Sequence, residues 1–371
     1  MTGQLKNLMD RAADLDFAAV DIGAVVEAGD RTVRRRRLAL GGGVAAMALV
    51  AGSTVVALTG GGDGDRTHVA DTPASRGTPL GVVTWTLDGA LHTATASYPL
   101  GHEVTAYVRT ATGYVFADPD GVVYGFRHGE ITRIGRLAPG AVRLVSDNEG
   151  DLAGWTEEVD GRTRFVVHDL RTGERTTFGE TRSGMGAQAD DGDPTFFYAL
   201  DGRTAYVRDT RGAVAVDVDS GEVRVIDAAA RNGFSIAGVE DGQIAFVGDD
   251  GDLDVGPSAS QTRTVVSMVG NTAVFSPDGR YVSLDADEPQ VYEVATGRRV
   301  PIDIDDRFFG AGYEWLDATT VVLIASRTEE GPAELLTCVV PQGTCTQVVA
   351  DLGTFAELEG HAAFPNGIPA A

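Results

Sequence analysis

From residue 80 to residue 355 apolar and polar residues alternate in short runs, cut repeatedly by Asp-Gly, Ser-Gly or Thr-Gly pairs, and no apolar stripe there keeps helical spacing. A period of two predicts half-buried strands, and the Gly pairs predict hairpin turns between them. The fullest example is 275–284, FSPDGRYVSL. Pro277 fixes φ where no ladder donor is needed, Gly279 accepts a positive φ, and Asp278 tolerates one. Phe275 and Ser276 lead into that turn, and the strand after it is expected to lay one face against a neighbouring sheet.

Looser copies recur. The segments 197–227 and 275–304 each give an aromatic strand, an Asp-Gly-Arg turn, a second strand, a valine-rich third strand closed by Ser/Thr-Gly, and a fourth. A third copy reads over 154–178, weaker ones begin at Phe116, Val239 and Trp315, and 82–95 supplies a partial one. Gly173, Gly221, Gly297 and Gly343 close the later turns at intervals of 48, 76 and 46, and 76 divides into two units of 38. Units of about 40–50 residues, each a four-stranded antiparallel sheet, are the signature of a β-propeller. Starts near 82, 113, 143, 195, 234, 271 and 313 predict an all-β fold of seven blades, with six or eight as alternatives, spanning 80–355. Residues 356–371 are set apart as a C-terminal tail, and the strand at 82–87 is a candidate for closing the ring beside the last blade.

The blade motif Phe275, Ser276, Pro277, Asp278, Gly279 resembles the core of WD40-like and TolB-like propeller repeats, over about 80–355. No copy has the Trp-Asp or Gly-His pair of true WD40 blades. The whole layout resembles actinobacterial single-pass membrane proteins with a short cytoplasmic tail and an extracytoplasmic propeller, several of them encoded beside sigma factors.

The part of that layout upstream of the blades has its own signals. Arg34, Arg35, Arg36 and Arg37 precede residues 38–58, 21 residues without a charge. At 1.5 Å per residue these reach about 30 Å, one hydrocarbon thickness. Four arginines before the run, against Arg66 alone in the next 17 residues, predict a single-pass plasma-membrane helix with residues 1–37 cytoplasmic and the rest outside. A cleaved leader fits less well, because 37 residues precede the apolar run and Ala57-Leu58-Thr59 is a poor cleavage site. Residues 59–79 are rich in Gly, Asp, Thr and Pro and read as a flexible linker. In the tail, Leu5, Leu8, Met9, Ala12 and Leu15 share one face of an expected amphipathic helix, which needs a membrane surface or a protein groove to cover it.

Charge narrows the partners. The chain has 54 acidic and 30 basic residues, a formal −24. Residues 1–37 are nearly balanced, so the excess sits in the propeller and repels nucleic acid. No hydrolase, zinc-protease or phosphate-loop motif occurs, and the six histidines are scattered singly, so neither a cofactor nor a metal is expected. Asp249, Asp250, Asp252 and Asp254 superficially resemble a calcium loop but have Val255 where its Gly and Gln261 where its Glu should stand. Cys338 and Cys345 flank a Pro-Gln-Gly turn that sets them opposite one another, and outside a membrane they are expected to form a disulfide on the last blade.

Three functions follow as expectations. The first is an extracytoplasmic module that binds a protein or small-molecule ligand and signals to a cytoplasmic regulator such as a sigma factor. The second is a glycan hydrolase with Asp or Glu at the propeller mouth, and the third an envelope scaffold. Convergent carboxylates in the channel, one with a strongly raised pKa, would favour the hydrolase; a featureless solvated channel would count against it.

Overall fold

The computed structural model describes residues 82–367, apart from 142, 148, 183–195, 231–235, 249–251, 267–272 and 285–287. The expected tail 1–37 with Arg34–Arg37, the membrane helix 38–58 and the linker 59–79 lie outside the described residues, among which no helix is long and apolar enough to cross a membrane. The described chain folds into seven antiparallel sheets of four strands, an all-β seven-bladed propeller. Blades 2 to 7 follow one another, with inner strands Ala106–Thr110, Val145–Ser146, Phe196–Asp201, Ile236–Glu240, Ala273–Phe275 and Phe309–Asp317. Blade 1 is composite. It joins three strands from the start of the propeller, Thr84–Leu87, Ala90–Thr93 and Ser97–Pro99, to an inner strand from its end, Ala362–Ala363.

Five of the seven starts read from the alternation fall within four residues of the observed inner strands; the first, near 82, falls at Thr84–Leu87, the second strand of blade 1, and blade 2 begins at 106, not 113. The cause is a slipped register between repeats. In blade 4 the Asp-Gly pair at 201–202 joins the first strand to the second, whereas Asp160-Gly161 in blade 3 joins the second to the third. The Asp-Pro-Asp-Gly turn of blade 2 likewise follows its second strand, Gly113–Ala117. Asp-Gly marks a tight turn wherever φ must be positive, without saying which turn of the blade it is. Asp88-Gly89, Asp160-Gly161 and Asp241-Gly242 all have both φ values positive, as two-residue hairpins of the mirror-image type require.

The turn at 276–279 uses different chemistry. Only Gly279 has a positive φ, at 64°. The Ser276 hydroxyl donates to Asp278 Oδ1 at 2.7 Å and accepts from the Tyr281 N–H at 2.9 Å, and Asp278 Oδ1 accepts from the Arg280 N–H at 3.1 Å. Ser276 and Asp278 therefore satisfy backbone donors that the wider loop would leave open.

The strand that follows buries both faces, not the single face expected. Tyr281 packs towards blade 7, stacked on Trp315 at 6.0 Å, while Val282 and Leu284 join Leu253 and Val255 of blade 5. The same holds around the ring. The hydrophobic core is seven separate seams, one between each pair of neighbouring blades. Every middle strand is thus sandwiched, which explains the continuous apolar runs in Tyr206-Val207 and Val321-Val322-Leu323.

Closure uses the segment set apart as a tail. A capping box at Thr354 and Glu357 starts a one-turn helix, Phe355–Leu358, which returns the chain to blade 1. Ala362 and Ala363 then pair with Leu87 and Thr86. Beyond them the chain leaves its own blade. Phe364 packs on Tyr313 of blade 7, Asn366 bridges to Val108 of blade 2, and the Gly367 carbonyl accepts from Leu144 N–H of blade 3 at 2.9 Å.

The expected disulfide is present. Cys338 and Cys345 are direct cross-strand partners in the outer hairpin of blade 7. Its loop is short, so loop-closure entropy assigns it only about 2 kcal/mol. Replacing both cysteines by serine should lower unfolding free energy by about that amount while leaving the ring closed. Ending the chain after His361 should instead remove the inner strand of blade 1. Hydrogen exchange at Thr84–Leu87 and at Val108 should then accelerate and the melting point fall by more than about 5 °C.

Candidate functional site

The inner strands enclose a central cavity of about 110 Å³. Because a β-strand alternates its side chains, each inner strand sends some residues to the seams and others to the channel. Most of the lining is small or apolar, including Ala199, Ala237, Gly238 and Val274. Gly238 has no room for a side chain, since a Cβ there would stand 2.4 Å from the Ala273 carbonyl oxygen. The polar lining consists chiefly of Arg143, Ser146, Tyr198, Glu240, Tyr313 and Glu314, with Asn366 from the closing segment.

Carboxylates gather where the first hairpin turns of blades 3, 4 and 5 meet. Asp147 and Glu149 follow the two-residue inner strand of blade 3, Asp201 ends that of blade 4, and Glu240 and Asp241 end that of blade 5. The turns are tied together, since Asp201 Oδ2 accepts the Gly242 N–H at 2.8 Å. Burial pushes the Glu240 carboxyl up to about 9, helped by the negative charges of Asp201, Asp147, Glu149 and Asp241. Burial likewise raises Asp147 to about 6 against the pull of the Glu149 and Gly150 N–H groups. Like charges crowded into a partly desolvated site cannot all ionise at once, so Glu240 keeps its proton at neutral pH.

A second charged feature crosses the ring. Blade 1 has an inner strand of only two residues, and above the gap Arg109 of blade 2 meets Glu314 of blade 7, Nη2 to Oε1 at 2.5 Å. Both side chains are almost wholly buried, and Arg109 also donates to the Val82 carbonyl at 3.0 Å. Burial drives the Glu314 carboxyl up to about 7 although Arg109 pulls it down, so desolvation costs this pair more than its attraction returns.

The residues singled out in the sequence lie elsewhere. Phe275 lines the channel, but Ser276, Pro277, Asp278 and Gly279 form a hairpin turn, and the Cys338–Cys345 bridge is on the outer hairpin of blade 7. Asp249 and Asp250 fall outside the described residues, and Asp254 sits in a strand accepting from the Thr264 hydroxyl at 2.6 Å. Among the described residues no group of three metal-ligating side chains is placed to hold an ion. Asp147, Asp201 and Glu240 drew no notice as sequence. Their signal was positional: each ends or follows the first strand of its repeat, and correctly registered repeats put such residues on one face.

No family model and no curated protein matches the sequence. Solved structures resemble it distantly, at low identity. A TolB from Acinetobacter baumannii superposes with a TM-score of 0.43 at 13% identity, covering 77% of this chain, which spans 66% of that one. An oligogalacturonate lyase in complex with manganese gives 0.46 at 12% identity over 72% of this chain and 93% of its own. The computationally designed Ika8 protein gives 0.46 at 14%, over 71% and 82%.

The raised Glu240 carboxyl has a consequence for stability. The unfolded chain releases this proton near pH 4.5 and the folded chain near 9, so the residue's contribution is intact below the first value and lost as pH climbs towards the second. Glu240→Gln should therefore leave the melting point unchanged near pH 4.5. By pH 8 it should be the more stable protein, by up to about 5 kcal/mol, with a melting point well above wild type. Thermal unfolding across that range, read against wild type, checks the sign as well as the size.

Proposed function

We propose that this chain is a binding module: a propeller held outside the plasma membrane by residues 38–58, whose acidic turn cluster at the channel end receives a positively charged segment of a partner protein. The observation that carries the reading is the crowding of Asp147, Glu149, Asp201, Glu240 and Asp241. It costs the free protein stability, and an incoming cation would relieve it. The sequence supports the anchoring through Arg34–Arg37 and the uncharged run after them. An oxidised Cys338–Cys345 pair suits the same outer compartment. The tail 1–37, with its apolar stripe, is where such a protein would reach a cytoplasmic regulator such as a sigma factor.

The hydrolase reading also has a specific observation behind it, because a protonated Glu240 beside the carboxylates of Asp201 and Asp147 is the pairing of acid and base that glycan cleavage uses. Size weighs against it. The cavity, at about 110 Å³, is well below the roughly 300–1,000 Å³ of pockets that enclose organic ligands of drug size. An envelope scaffold would need neither the cluster nor the tail.

Binding of a short arginine-rich peptide to the propeller should fall steeply with salt. It should weaken about tenfold when Asp201 and Asp241 are both changed to Asn, and release a proton at pH 7–8 as Glu240 ionises. Calorimetry in two buffers of different ionisation enthalpy measures all three. Peptide affinity indifferent to salt and to the double substitution would sink the acidic-face reading. For the signalling element, crosslinked pull-downs from intact cells should lose a cytoplasmic partner when residues 2–33 are deleted. Turnover of any glycan that Glu240→Gln abolishes would decide for the hydrolase.

A further inference from the structure

Three buried polar atoms in the cavity lining have no hydrogen-bond partner: Arg143 Nε, the Tyr313 hydroxyl and Glu314 Oε2. Buried polar groups are nearly always satisfied, so the two orphaned donors, Arg143 Nε and the Tyr313 hydroxyl, point to an acceptor that belongs between them. Arg143 is the most telling. Its guanidinium makes no hydrogen bond or ion pair with any described residue, and burial alone pulls its pKa down to about 10, with no carboxylate restoring it. In a chain of net charge −24, a half-buried arginine without an ion-pair partner among the described residues is an arrangement the composition does not force. Tyr313 is more than nine-tenths buried, and Glu314 and burial together hold its hydroxyl protonated, ready to donate.

We propose that the central channel is a binding site for a small oxyanion, a carboxylate or phosphate-type group, with Arg143 as its counter-charge and the Tyr313 hydroxyl as a second donor. A planar guanidinium presents paired N–H donors that match such groups, and Arg143 is half-buried with its Nε enclosed and unpartnered. The two carboxyls in the lining do not oppose this at neutral pH as strongly as their number implies. Glu240 is held protonated, and Glu314 already has Arg109 on one oxygen. Volume sets the class of ligand. A water occupies on the order of 10–15 Å³ of such space, so about 110 Å³ takes a small anion with a few waters, and no sugar chain or peptide. The cavity shares Glu240 with the acidic turn cluster, but the donors assigned to the anion, Arg143 and Tyr313, lie outside that cluster, so either reading can fail without the other.

The test uses the whole protein in chloride at fixed ionic strength, with acetate, sulfate or inorganic phosphate replacing chloride. At least one of the three should raise the melting point in a saturable way, by several degrees at ten or more times its dissociation constant. Arg143→Met should abolish that response, and in chloride alone should melt no lower than wild type, because it removes a half-buried charge that makes no ion pair with a described residue. Tyr313→Phe, which keeps the ring in its seam, should weaken the same anion about three- to tenfold, and it decides the matter should Arg143→Met fail to fold. A wild-type protein that gains nothing from any oxyanion over chloride overturns the proposal, as does an equal gain in the variants. Acetate acting without phosphate, or the reverse, assigns the group as carboxylate or phosphate.

Discussion

Everything in this molecule depends on blades packing face to face around a closed ring. A single four-stranded blade has two apolar faces and cannot bury either alone; each seam buries one face from each neighbour, and only a closed circle leaves none exposed. That is why the core is distributed over seven seams instead of one centre, and why middle strands are apolar on both sides. It also makes the last joint decisive. Blade 1 is completed by two alanines from the far end of the propeller, and such short pairing is reinforced by Phe364 on Tyr313, by the bridge from Asn366 to Val108, and by Arg109 reaching Glu314 over the gap.

Closure has an electrostatic consequence. Bringing seven inner strands together carries whatever ends those strands into one small volume. Residues that are unremarkable on an isolated hairpin become crowded: Asp201 and Asp147 make it hard for Glu240 to ionise, and burial raises both Glu240 and Asp147. The lining of the channel holds Arg143 without an ion-pair partner among the described residues and leaves the Tyr313 hydroxyl and one oxygen of Glu314 unsatisfied. The channel therefore carries both signs of charge, acidic at the hairpin turns and cationic at Arg143, within a lining that is otherwise small and apolar.

The buried Arg109–Glu314 pair shows how a fold accepts a local cost for a global joint. Its burial pushes Glu314 towards neutrality, so the pair is weak as a source of stability. It nevertheless joins blade 2 to blade 7 and gives the Val82 carbonyl, at the entry to blade 1, a donor it would otherwise lack. Specific geometry at the seam where the chain's two ends meet is what such a pair supplies.

The period of two and the turn chemistry are local properties, and they were enough to identify a seven-bladed propeller, to place most blade starts, and to pair Cys338 with Cys345 across a hairpin. What Asp-Gly could not reveal was register, because the same pair serves any turn that needs a positive φ; blade 2 was started one strand late, and the copy at 154–178 in blade 3 was aligned one strand out, for that reason. The role of residues 362–367 was illegible for a related cause. Two alanines, a phenylalanine and Pro-Asn-Gly have no strand signal of their own and acquire one only from the free edge of Thr84–Leu87, hundreds of residues earlier. The channel was illegible altogether. With so many carboxylates in the chain, composition could not say that Glu240, Asp201 and Asp147 would converge or that Arg143 would be left alone, since electrostatic energy depends on distances between residues that only ring closure brings together.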